Sequence, residues 1–175
     1  MLSYESVCLL AYVWFYALSV WVSFYGGFIA LRTLPRQQFG ALQHKYFTFS
    51  TIFASALLGV WTWAHPALLS HLASPFKRPD VAQAYVLASV VALQVCNQFV
   101  VGPMTSRTMS QQHKLEKEEG ENCNDTEVSD RMKALHAKFR MLRRISSLAN
   151  VGAFIALTFH GLWIGSYLVA IRNLY

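Results

Sequence analysis

The chain has 175 residues, 54% of them hydrophobic and 14% aromatic, with a mean hydropathy of +0.31 and a net charge of +6. A soluble domain of this size has no need of so much apolar surface. Three widely spaced cysteines, Cys8, Cys96 and Cys123, exclude a disulfide framework and a CxxC redox pair.

The apolar residues come in four blocks. Val7 to Leu31, Tyr46 to Ala64, Val81 to Val101 and Ile145 to Ile171 run 25, 19, 21 and 27 residues without a formal charge. A membrane span needs about 20 apolar residues at 1.5 Å rise each, so every block is long enough to cross a bilayer. Helices buried in a soluble bundle would carry a polar stripe at helical spacing, and these blocks carry none. The expected fold is all-α: one polytopic domain over residues 1–175, with spans at about 7–31, 46–65, 81–101 and 145–171.

The first block follows "MLSYES", whose one charge is Glu5, and its core exceeds the 7–15 residues typical of a secretory signal. It is expected to be retained. Next comes "RTLPRQQFGALQHKYF" (Arg32 to Phe47), a basic segment with a proline, a glycine and aromatics, expected as a compact loop. Span two opens with Tyr46, Phe47 and Phe49 and closes with Trp61 and Trp63, as interfacial anchors do. In span four, Trp163 and Tyr167 approach the same far interface. The short connection Ser70 to Asp80 leads into span three.

Residues 104–144 read as a helical hairpin. Thr105 to Glu119 lacks Gly and Pro and extends span three; "GENCND" (Gly120 to Asp125) breaks it; Ser129 can cap the return helix. On that helix Met132, Leu135, Phe139 and Leu142 share one face among five basic residues. The helix either lies on anionic headgroups or is a solvated arm whose charges set topology.

Orientation follows from Lys and Arg. The 32–45 segment and the long loop carry twelve; Lys77, Arg78 and Arg172, on the other side, make three. The positive-inside rule counts basic residues alone, so the hairpin is expected in the cytosol and both termini outside or in a lumen. An endomembrane or the plasma membrane is favoured over a mitochondrial one.

Each span has small residues at four-residue spacing, favouring a tight bundle: Ser19, Ser23 and Gly27; Thr51, Ser55 and Gly59; Ala84, Ala88, Ala92 and Cys96; Gly161 and Gly165. Asn97 and Asn150 both fall about 6–8 Å below the cytosolic surface. With Ser146, Ser147, Gln94, Gln98 and Thr51 they can form one polar layer beneath the basic segment. That layer is either interhelical glue or a headgroup or small-solute site.

No span contains Asp or Glu, which removes the central group of intramembrane aspartyl proteolysis and carboxylate proton coupling. His44, His71, His113 and His136 lack zinc-ligand spacing, and no phosphate loop or nucleophile elbow occurs. No catalytic residue, metal, cofactor or nucleic-acid partner is expected. The competing reading is a membrane enzyme or haem protein using His65 and His160.

"WVSFYGGFIALRTLPRQQFGALQHKYFTF" (Trp21 to Phe49) resembles the signature of the transmembrane protein 205-like family, a domain of unknown function. The likeness resumes at "NQFVVGPMTSRTM", "KLEKEEG" and "FRMLRRISSLANVG" and covers most of the chain. It implies a small four-span protein without an established reaction. The shared positions gather at the cytosolic end: Arg32, Thr33, Pro35, Arg36, Gly40, Gln43 and Lys45, then Asn97, Pro103 and Thr105, then Ser147 and Asn150. At Arg143 some relatives carry histidine, so the resemblance assigns that position no role. The expectation is a non-enzymatic protein of transport, trafficking or membrane-complex-subunit type, alone or as a homo-oligomer. A rigid basic lid would cover the polar layer, and Arg32, Arg36, Gln43, Lys45, Asn97, Thr105, Ser147 and Asn150 would bind anionic lipid or a partner.

Overall fold

The computed structural model describes residues 4–34, 36–73, 78–121 and 130–172. Its elements are α1 (Tyr4–Val20), a π-helical turn (Trp21–Gly26), α2 (Gly27–Thr33), α3 (Arg36–Ala64), a 3-10 turn (Pro66–His71), α4 (Pro79–Cys96), a second π turn (Asn97–Val101), α5 (Gly102–Glu121) and α6 (Asp130–Arg172). No strand occurs among the described residues. Both π turns enter and leave with helical backbone angles, so the elements stack into four rods.

All four rods are long and apolar enough to span a membrane, over Leu9–Ala30, Gln38–Ala64, Pro79–Lys117 and Asp130–Tyr167. Their outward faces carry Leu10, Trp14, Ile52, Phe99, Leu148 and Phe159, each more than half exposed. Water would penalise such a surface and hydrocarbon would not. The fold fits a multi-pass membrane protein.

The rods close into a ring in which α1 and α4 each pack on both α3 and α6. Tyr12, Phe15, Ala54, Val90, Ala153 and Leu157 fill its centre, one or two from each rod. The small-residue rows divide between faces. Ser19 and Ala84 are buried and Gly161 packs against the Tyr12 ring, whereas Ser55, Gly59 and Gly165 face outward. Spacing shows that a helix can be approached closely; it does not say on which side.

The basic segment departs from the expected loop. α2 runs to Thr33, Leu34 is extended (φ −98°, ψ 142°), and α3 begins at Arg36. A residue before proline avoids the helical region, so Pro35 (itself outside the described residues) explains the break at Leu34. Nothing after it stops a helix, and Arg36 to Lys45 form the first turns of span two. The hairpin is present as α5 packed against α6. Met132 and Leu142 are buried and Leu135 and Phe139 half-buried, so α6 turns its apolar face toward protein and away from headgroups. Ser129, Cys123, Asn124 and the tip lie outside the described residues, as does Lys77.

Each π turn ends at a glycine for a steric reason. A Cβ on Gly27 would stand 2.7 Å from the Val22 carbonyl oxygen, and one on Gly102 would stand 3.0 Å from that of Asn97. Pro103 adds a second cause at the latter. Proline lacks an N–H and its ring collides with the carbonyl four residues back in a regular helix, a clash that a widened turn relieves.

Candidate functional site

The polar layer forms where α3, α4 and α6 meet. Asn97, fully buried at the start of the second π turn, donates through Nδ2 to the Ser146 carbonyl (3.4 Å) and to Asn150 Oδ1 (3.2 Å). Gln98 donates through Nε2 to Thr48 Oγ1 (2.8 Å), tying α4 to α3. Gln43 Nε2 reaches Ser146 Oγ at 3.5 Å, so Ser146 joins the layer to the outside.

Beside Ser146 a small cleft opens between α3, α5 and α6. Phe39, Phe47, Met109 and Phe139 give it apolar walls, and Gln43, Thr105 and Arg143 supply polar groups. The Arg143 guanidinium carbon lies over the Phe39 ring, 5.0 Å from its centroid. The Thr105 hydroxyl donates to the Val101 carbonyl at 2.7 Å. Free space in the cleft is about 30 Å³, enough for about two waters.

The structure therefore brings together Gln43, Asn97, Thr105 and Asn150 of the expected set and leaves others apart. Ser147 is exposed, and its neighbour Ser146 takes the place expected for it. Arg32 lies over the Phe28 ring on the exposed side of α2, 4.1 Å from the centroid, and Lys45 is exposed on α3. The Arg36 side chain lies outside the described residues. The cation in the cleft is Arg143, which sequence reasoning passed over. Its one available signal was position: three residues before Ser146 on a helix, hence on the same face.

The far end is packed rather than open. Trp61 touches His65, His160 and Trp163 (ring centroids 4.3, 5.1 and 5.6 Å) and donates through Nε1 to the Asp80 carbonyl. His160 is 3% exposed, held at Nδ1 by Gln83 Oε1 (2.8 Å) and edge-on to both Trp61 and Tyr12. A porphyrin against His160 would have to displace one of those rings, so the residues present do not fit haem there. No cluster of three or more His, Cys, Asp or Glu side chains forms a metal-binding group among the described residues.

Residues 10–114 match the family described as Domain of unknown function (DUF4149), and the chain belongs to that family. No solved structure matches the chain.

Proposed function

For this DUF4149 chain we propose a non-enzymatic, multi-pass membrane protein of transport, trafficking or complex-subunit type, a reading supported by its four membrane-length apolar helices. Its polar end recognises an anionic group at the membrane surface. The observation that carries the reading is Arg143, half-buried over Phe39 in a cleft whose other polar side chains are Gln43, His44, Thr105, Ser106 and Ser146. A guanidinium beside an aromatic ring carries five N–H donors, in a geometry that matches a phosphate or carboxylate. The apolar walls of the cleft suit the glycerol end of a lipid better than a soluble anion. The Lys and Arg distribution supports a cytosolic position for this end, and the exposed Arg32 and Lys45 make a diffuse basic collar in place of a lid.

Native mass spectrometry of the detergent-purified chain with added phosphatidylglycerol or phosphatidylcholine tests the proposal. A surface cation contributes about 1 kcal/mol to anionic-lipid binding, roughly a fivefold change in affinity. Arg143→Gln is expected to lower phosphatidylglycerol retention by about that factor or more, and to leave phosphatidylcholine unchanged. Arg32→Ala combined with Arg36→Ala tests the collar separately, with a smaller loss that vanishes at high salt. Equal retention of phosphatidylglycerol by the parent and the Arg143 variant would remove the anion-recognition reading.

A further inference from the structure

We propose that the buried polar layer beneath the cleft is a binding site for a monovalent alkali cation, held by neutral side-chain oxygens. Among the described residues, the buried side-chain polar atoms without a hydrogen-bond partner are Ser50 Oγ, Thr51 Oγ1, Gln94 Oε1, Asn97 Oδ1 and Gln98 Oε1. All five are oxygens. They also share one place in the bundle. The bond from Gln98 to Thr48 sets the register of the antiparallel α3 and α4 rods. From that level Thr51 lies about 4.5 Å and Gln94 about 6 Å along the axis, in the same direction. Gln94, Asn97 and Gln98, three and four residues apart, project from one side of their rod. Ser50 stands at the edge of the group, with the Tyr46 hydroxyl within reach. The other four carry the argument.

The amide orientation at Asn97 is fixed by its partner. Its Nδ2 faces the Ser146 backbone carbonyl, which can only accept, so Oδ1 is the atom turned away. The amide donors of Asn97 and Gln98 are already engaged, so at those two residues only the carbonyl oxygens remain, and the Thr51 hydroxyl can turn its hydrogen aside and present a lone pair. Water matches such a group poorly. A water would satisfy two of the carbonyls with its hydrogens, and among the four groups only the Thr51 hydroxyl could donate to its lone pairs. A cation has no lone pairs. With three amide carbonyls and a hydroxyl, and no acidic side chain among them, the site provides no charge to offset the desolvation of a divalent ion. An anion would meet three carbonyl oxygens and a single hydroxyl donor. Glutamine side chains are long enough for Gln94 and Gln98 to bring their oxygens onto one ion with Asn97 and Thr51. The site also coincides with the π turn at Asn97–Val101, an irregularity of a kind frequent at functional positions.

The test is the apparent unfolding temperature of the full chain in detergent, followed by tryptophan fluorescence at one scan rate. Sodium, potassium, lithium and N-methyl-D-glucamine chlorides are compared at equal ionic strength. A ligand that binds only the folded state raises its stability with the logarithm of its concentration once that exceeds Kd. The expected result is such a rise with sodium or potassium over N-methyl-D-glucamine. Thr51→Val and Gln94→Leu, each close in shape to the original, should abolish the rise singly and together. In N-methyl-D-glucamine chloride they should unfold at the parent's temperature or above, because an unpartnered buried oxygen is gone. Equal unfolding temperatures of the parent in all four salts would overturn the site in favour of internal water. A sodium or potassium effect that survives both substitutions would overturn its location.

Discussion

Replacing Trp61 with alanine is expected to destabilise the protein by about 3 kcal/mol, the lower end of the range for a core tryptophan, because the indole is half-buried. In a chain of this length that lowers the unfolding temperature by roughly 10 °C. The cost is large because one indole serves several neighbours at once. Trp61 packs on His65, His160 and Trp163, supports the cluster of Leu68, Val81 and Ala84, and holds the start of α4 through the Asp80 carbonyl. Trp14→Ala, at a residue 69% exposed on the outer face of α1, is the control and should shift unfolding far less. Thermal unfolding of the two variants side by side checks the contrast. Equal shifts would mean that the far end is not held by the Trp61 cluster.

Gly161 is the second sensitive position. A Cβ there would run into the Tyr12 ring and hydroxyl, and Tyr12 cannot easily move. Its hydroxyl donates to the Leu157 carbonyl, and its ring meets Tyr16 and His160. Gly161→Ala should therefore cost about 1–3 kcal/mol through overpacking, and Gly161→Val more. At Gly165, one turn further on, a Cβ meets nothing within 4 Å. Gly165→Ala should be neutral or mildly stabilising, since glycine is the weaker helix former. A double-mutant cycle supplies the check. Tyr12→Leu should recover much of the Gly161→Ala cost, and additive losses would show that the two helices do not meet there.

The two glycines also show how far the sequence could be read. Four rods, their order and the hairpin were legible because charge-free runs of 19 to 27 residues leave few alternatives. The pairing of Asn97 with Asn150 was legible too, because counting residues inward from the same surface puts them at one depth. Rotational position around each helix was not. Lipid-facing and core-facing residues are equally apolar, so the pattern that separates inside from outside in water is missing here. Gly161 and Gly165 look alike in sequence, as do Ser146 and Ser147. The π turns were missed for a related reason, since one extra residue in a turn leaves composition unchanged. Gly27 and the Gly102–Pro103 pair were their local marks. The basic segment was misread as a loop because proline and glycine usually punctuate; here only Pro35 does, and Gly40 sits inside α3. Arg143 was overlooked because it stands among Arg140, Arg144 and Lys138, and only the packing of α6 on Phe39 sets it apart.

The central claim is that the end carrying Arg143, Gln43 and the Asn97 layer faces the cytosol. The hairpin tip provides the measurement, through the sequon "NDT" at Asn124 and the neighbouring Cys123. In a Cys8→Ser, Cys96→Ala background expressed in eukaryotic cells, a membrane-impermeant maleimide reports Cys123, and a glycosidase reports Asn124. The account predicts no label on intact cells, labelling once the plasma membrane alone is permeabilised, and no glycosidase-sensitive mass shift. A shift that disappears in Asn124→Gln, with Cys123 protected until internal membranes are opened, would contradict it and move the cleft to the lumenal face.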